Sequence, residues 1–248
     1  FSMDADQPSA SLLRSDTAEW ELWSLVAELA NRFEPKSWVL IGGQMVALHV
    51  HLAGGVPRRT TTDVDIVADI LTDRGAFHAC RAVALDMGLE AQPSITGRNL
   101  HRFSGPAGHL DLMVPDHLPP NLTRQFTRPT PVPVAGGQRA LDRRTFVRID
   151  TEAGPASIPL PDLVGAIVIK ARAATSDTRD RDRHHTDIAQ LAAIVDDPIE
   201  LRDSLDAKEK RYLRRTRLPE DRTKSPWLEL GDQTRQRAID AWLTLIDE

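Results

Sequence analysis

Asp63 and Asp65 stand two residues apart in an otherwise apolar segment, Asp-Val-Asp-Ile-Val-Ala at 63–68. Residues i and i+2 of a β-strand share a face, so on a strand both carboxylates point the same way. Such a pair repels unless a cation or a proton lies between the two groups. Mg²⁺ suits these hard oxygen donors, above all when phosphate oxygens complete its shell. A third acid, Asp111, interrupts the apolar run His-Leu-Asp-Leu-Met-Val at 109–114. A lone carboxylate there is costly without a partner. A neighbouring strand that set it beside Asp63 and Asp65 would make it a second metal ligand and a general base; the plainer alternative is a structural Asp bonded to an arginine. Upstream, 38–43 reads Trp-Val-Leu-Ile-Gly-Gly, an apolar strand turning directly into a helix. Gly42 and Gly43 permit the tight turn and let a phosphate approach the free N–H groups of the helix start. A tight turn without a ligand is the bland reading of that pair.

The elements that must hold these residues follow from periodicity. Apolar residues at helical spacing predict a helix over 17–32, and strands are expected at 38–41 and 64–70. A helix over 44–52 is broken by Gly54-Gly55, and another over 73–88 is capped by Asp73 or Thr72 and stopped by Gly88. The stretches 99–103 and 109–114 read as a hairpin joined by Ser-Gly-Pro-Ala-Gly, and 146–149 with 156–158 as a further short pair. The Pro- and Thr-rich stretch 115–138 reads as a long loop. After Pro161 helical spacing takes over, with helices expected from 161, over 185–195, 198–214 and 232–247. The fold class expected is α+β: a mixed sheet flanked by helices, followed by a helical C-terminal region. The division expected is a catalytic domain at 17–150 and a helical domain at 151–248.

With 248 residues, of which 41% are hydrophobic, the chain can bury a real core. Its net charge of −5, from 31 basic and 36 acidic residues, argues against a nonspecific polyanion binder but leaves room for local basic surfaces. Two basic runs qualify for tracking a phosphate backbone: Arg139, Arg143, Arg144 and Arg148, then Lys208, Lys210, Arg211, Arg214, Arg215 and Arg217. Each has an alternative as a solvated face with local ion pairs. One cysteine, Cys80, excludes an internal disulfide and a Cys-rich zinc site. The eight histidines lack the His-x-x-x-His spacing of a zinc helix, and neither a Walker lysine nor a Gly-x-Ser-x-Gly motif is present. No apolar run reaches the roughly 18 residues of a membrane span, and no secretory leader pattern is visible. A cytoplasmic protein without membrane partners is expected.

Taken together, the glycine pair, the Asp-x-Asp strand and a third Asp on a later strand resemble the nucleotidyltransferase superfamily of polymerase-β-like fold. Within it, Gly42-Gly43, Ala47-Leu48-His49 and Arg59-x-Thr61-x-Asp63-Val64-Asp65-Ile66 resemble the AbiEii/MenT group of toxin nucleotidyltransferases. Lys170 before Arg172, and Arg183-His184-His185-Thr186-Asp187-Ile188, resemble that group's later motifs. The likeness spans about 38 to 191. It departs at Gln44, where many members carry a small hydroxyl or aromatic residue, and at His184, where the group usually has Asp. The resemblance implies that Gly42, Gly43, Gln44, Arg59, Thr61 and Asp187 bind the nucleotide, that Asp63, Asp65 and Asp111 bind Mg²⁺ in a two-metal site and carry catalysis, and that Lys170 reaches the phosphates. It further implies a nucleoside triphosphate donor, an RNA acceptor such as a tRNA 3′ end, and a cognate antitoxin. Two other readings remain: a transferase acting on a small aminoglycoside-type acceptor, and a noncatalytic nucleotide-binding or interaction module.

Overall fold

Alternation and glycine placement decide the strands. In a computed structural model, residues 8–11, 17–126, 128–151, 154–177, 180–219, 221 and 223–247 are described. In chain order the elements are β1 (Ser9–Ser11), α1 (Thr17–Arg32), β2 (Trp38–Ile41), α2 (Gly42–Leu52), β3 (Asp63–Ala68), α3 (Ala76–Asp86), β4 (Glu90–Pro93), β5 (Leu100–Gly105) and β6 (Gly108–Pro115). There follow α4 (Pro120–Thr123), β7 (Val132–Val134), α5 (Gly137–Asp142), β8 (Arg144–Thr151), β9 (Gly154–Pro161), α6 (Leu163–Ser176), α7 (Arg181–Ala193), α8 (Pro198–Asp203), α9 (Ala207–Thr216) and α10 (Asp232–Ile246). The protein is α+β, with mixed sheets flanked by helices and a helical C-terminal region.

The main sheet runs β2-β3-β6-β5-β4, with β7 also paired to β6. β3 and β6 are parallel, and the other pairs along that order are antiparallel. Val64, Ile66, Leu110, Leu112 and Phe103 are fully buried on one face, where α1 and α3 pack. Asp63 and Asp65, alternating with them, lie on the other face. There α2 lies beside β3 and meets α6 and α7. A second sheet, β1-β8-β9, sets β9 against β2 and α1. The expected division after 150 falls at the end of β8, which pairs with β9 from Arg144↔Pro161 to Thr151↔Gly154.

Three expectations need revision. The stretch 115–138 is not a structureless loop: Val132 pairs with Met113, so β7 extends the sheet alongside β6 beyond the point where β5 ends. Pro161 ends β9 instead of opening a helix, and Asp162 caps α6 by accepting from the Gly165 N–H at 2.7 Å. The helix expected over 198–214 is broken in two. Asp206 caps α9 in a reciprocal box with Glu209, and Glu209 also accepts two hydrogen bonds from Arg143 at 2.9 and 2.8 Å.

His49 on α2 joins the two halves. Its ring is buried, and its Nε2–H donates to the Pro161 carbonyl at 2.9 Å. Burial pushes its pKa down to about 4, with the hydrogen bond and Asp162 opposing. The unfolded chain takes up the proton near 6.5, so folding stability contributed by neutral His49 is full above that pH and falls as pH drops toward 4. The loss amounts to roughly 3 kcal/mol. Denaturant melts of wild type and His49→Gln between pH 7 and pH 4 should therefore converge at low pH by about that amount; parallel curves would show that His49 is not the group being titrated.

Candidate active site

The parallel pairing of β3 with β6 fixes the site. Asp65 and Asp111 are aligned Cα partners, as are Asp63 and His109. The hairpin then places Arg102 of β5 directly opposite Asp111. Arg102 grips Asp111 with both arms of its fork, Nε to Oδ1 at 2.8 Å and Nη2 to Oδ2 at 2.7 Å. The same Nη2 lies 3.4 Å from Asp63 Oδ1. Asp65 keeps a partial opening to the cleft, yet desolvation raises its pKa to about 6, with Asp111 and Asp63 adding to the rise and Lys170 and Arg183 opposing it.

The start of α2 closes this corner. Gly42 has φ +72°, and a Cβ there would sit 1.9 Å from Asp65 Oδ2; the position needs glycine for both conformation and space. Ile41 supplies no side-chain cap, and no acid lies in the first turn. The free N–H groups and the positive end of the helix therefore favour an anion there. Gln44 is buried, and its Oε1 has no hydrogen-bond partner. Beside Gly43 lie Arg59 and Thr61: a Cβ added at Gly43 would come within 3.0 Å of Arg59 Nη2 and of Thr61 Cβ. Thr61 Oγ1 accepts from the Asp63 N–H at 3.4 Å and so shapes the entry to β3.

Cations come from the helical half. Lys170 on α6 is buried and donates to Asp187 Oδ2 of α7 at 2.6 Å. Arg59 Nη2 meets the other oxygen of Asp187 at 3.4 Å. Burial alone would raise the Asp187 carboxyl, but the charges of Lys170 and Arg59 and the Lys170 hydrogen bond together hold it below its ordinary value. Between Asp65, Gly42 and Lys170 opens a cleft of about 350 Å³. Ile41, Met113, Val134 and Ile169 form its apolar wall, and Asp177, Asp180, Arg183 and His184 its polar end. Burial and the Lys170 charge push the His184 pKa down to about 4, with Asp187 opposing.

Of the ten candidate residues, Gly42, Asp65 and Lys170 line this cleft; Asp63, Asp111, Gly43, Arg59, Thr61 and Asp187 adjoin them through the pairings above, and Gln44 follows in the first turn of α2. The first basic run does not join them. Arg139 pairs with Asp206, Arg143 with Glu209 and Asp162, Arg144 with Asp69 and Arg148 with Asp150. Sequence reasoning did not single out Arg102 or the cleft residue Asp180, and Arg183 entered it only as the first residue of a motif. Among the described residues, no group of three or more His, Cys, Asp or Glu side chains forms a metal cage. Mg²⁺ is ordinarily held by one or two carboxylates plus substrate phosphates. The donors fit that habit: Asp63 Oδ1 is buried and accepts no hydrogen bond.

No protein-family model matches the sequence, and no curated protein matches it. Among solved structures, the chain is similar to a crystal structure of an antigenic nucleotidyltransferase-like protein from Paracoccidioides brasiliensis. Identity is 15%, over 92% of this chain and 94% of that one, with a TM-score of 0.46. Among the described residues, no helix is long and apolar enough to cross a membrane.

Two outcomes follow from the geometry. Asp187→Ala leaves Lys170 buried without its counter-charge and should destabilise the fold by about 3 kcal/mol or more, whereas Lys170→Met with Asp187→Leu should recover most of that loss in urea melts. Gly42→Ala forces a Cβ onto Asp65 and should lower the melting temperature even though the change only adds a methyl group; a melt unchanged from wild type would mean that the α2 start relaxes freely.

Proposed function

We propose that the chain is a metal-dependent nucleotidyltransferase of the polymerase-β-like superfamily, moving a nucleoside monophosphate from a triphosphate to an acceptor hydroxyl. The observation that carries this reading is the register of Asp65 with Asp111 beside the uncapped start of α2. One corner thereby offers carboxylates for a cation and N–H groups for phosphate.

In the proposed step the acceptor oxygen attacks the α-phosphorus, a new P–O bond forms, and the bond to the bridging oxygen breaks to release pyrophosphate. Mg²⁺ bound by Asp63, Asp65 and Asp111 would supply positive charge to the triphosphate and lower the pKa of the acceptor hydroxyl. Gly42 and Gly43 let the phosphates reach the backbone N–H groups. Gln44, Arg59 and Thr61 line the approach, and Lys170 faces the charge that develops on the leaving group. Asp187 holds Lys170 and Arg59 in place. The acceptor proton passes to a carboxylate of the site. The apolar wall of the cleft suits a nucleobase.

For the acceptor we infer an RNA, with the chain acting as the toxin of a cytoplasmic toxin–antitoxin pair, as the motifs quoted above imply. One observation supports a polyanion: Lys208, Lys210, Arg211 and Arg215 make no ion pair among the described residues, and their helix α9 packs on α6, which carries Lys170. A small cationic acceptor is the second reading, favoured by Asp177 and Asp180 at the end of the cleft.

Incubation with each of the four labelled triphosphates, Mg²⁺, and either total RNA or a panel of aminoglycosides separates the readings. Label should enter RNA, and Asp65→Ala should reduce the transfer at least a hundredfold while leaving the melt intact. Label only in a drug would establish the second reading, and no transfer to either acceptor would leave a nucleotide-binding module.

A further inference from the structure

We propose that Arg102 is a built-in counter-ion that competes with the divalent cation for Asp111 and Asp63, so that loading the metal requires the guanidinium to let go. This rests on the metal site proposed above. What distinguishes Arg102 from Arg143, which grips Glu209 and reaches Asp162 in the same way, is that its carboxylates are the proposed metal ligands. Its fork takes both oxygens of Asp111, at 2.8 and 2.7 Å, and reaches Asp63 at 3.4 Å. It therefore bridges two of the three carboxylates, which is the electrostatic task of a metal ion. A bidentate arginine pair uses up the lone pairs that a cation would need.

The pair is also built to open. The Arg102 side chain is 38% exposed, against 10% for Asp111. The arginine therefore has water on one side, whereas its partner is fixed in the sheet. β5 lies between β6 and β4, away from the cleft formed by α2, α6 and α7. A guanidinium that swings out leaves the cleft wall as it is. The buried pair of Arg144 lacks that freedom: Arg144 is 15% exposed and held by the carbonyls of Lys36 and Trp38 as well as by Asp69. Lys170 and Arg59 are already matched by Asp187, and Arg183 lies at the polar end of the cleft and makes no ion pair with Asp111 or Asp63 among the described residues. Arg102 is thus the charge whose departure leaves carboxylates unpaired and open to a metal.

The physical consequence is a weakened metal affinity. If the paired state dominates, the apparent affinity for a divalent ion falls by the fraction of molecules in which Asp111 is free. Removing the guanidinium should restore it. The test is titration of Mn²⁺ against the purified chain, with free Mn²⁺ read by electron paramagnetic resonance and no nucleotide present. Arg102→Gln should bind Mn²⁺ about ten-fold tighter than wild type. Arg102→Lys, which keeps the charge but loses the fork, should fall between the two. In metal-free buffer Arg102→Gln should melt lower than wild type, and saturating Mg²⁺ should raise its melting temperature by more than it raises that of wild type.

A purely structural bridge predicts otherwise: a lower melt with Mn²⁺ affinity unchanged or weaker, and either result overturns the proposal. If Arg102→Gln does not fold, Arg102→Lys decides, and wild-type affinity in that variant overturns it equally. Asp65→Asn separates this from the reading beneath it. If Mn²⁺ binds wild type and Asp65→Asn alike, the metal is not at these carboxylates and the proposed site itself fails.

Discussion

The carboxylates of Asp65 and Asp111 sit on adjacent parallel strands in register, so neither strand can shift without changing their repulsion. A one-residue slip of β3 would turn every one of its side chains to the other face, burying Asp65 among Leu110, Leu112 and Phe103. The apolar face therefore enforces the register, and the register enforces the juxtaposition of like charges. Concentrated negative charge at the edge of a low-dielectric core must be offset. The neighbourhood supplies what is needed: Arg102 across the hairpin, the open N-terminus of α2, and Lys170 and Arg183 from the helical half.

That requirement explains why the two halves of the chain are not independent at this place. Lys170 and Asp187 lie on α6 and α7, yet Asp187 also receives Arg59 from the loop before β3. The same loop is anchored again where the Arg58 N–H donates to Gln190 at 2.7 Å. His49 of α2 reaches the end of β9. Each link places a group of one half where it screens or positions a group of the other. Breaking one partner of the buried Lys170–Asp187 pair is therefore expected to disturb the shape of the cleft as well as stability.

Much of this was legible in the residues because the signals were strong and local. The helix over 17–32, the strand at 38–41 and the second hairpin arise from apolar periodicity that tertiary packing did not override. Asp111 stood out as a charge in an apolar strand. Arg102 did not, for a geometrical reason. A five-residue connection over 104–108 would pair Arg102 with Leu110, whereas the observed turn is Pro106-Ala107 alone, with Gly105 opposite Gly108. That difference of one position brings Arg102 opposite Asp111. β7 was hidden because a three-residue strand, Val-Pro-Val, is too short to show alternation and exists only because β6 offers an edge. The first basic run was misleading for a related reason: the acids that neutralise Arg139, Arg143 and Arg144 lie at 206, 209 and 69, too far along the chain for a local pattern to reveal.

Gln44 shows how such a corner can be tuned without altering its charge. In the first turn of α2 a side-chain amide is neutral, so it neither competes with an incoming anion nor caps the helix start as Ser or Asp would. Its Oε1 is buried without a partner, and an unsatisfied buried acceptor costs about 1–3 kcal/mol. A donor reaching that oxygen would satisfy it, whereas an acceptor such as phosphate would take the amide N–H instead. The same side chain can therefore serve either partner by rotating its amide, and the helix N-terminus remains free for the anion. A smaller hydroxyl residue at this position would offer less reach and would compete for the first-turn N–H groups. Gln44 is thus compatible with an anion at the start of α2.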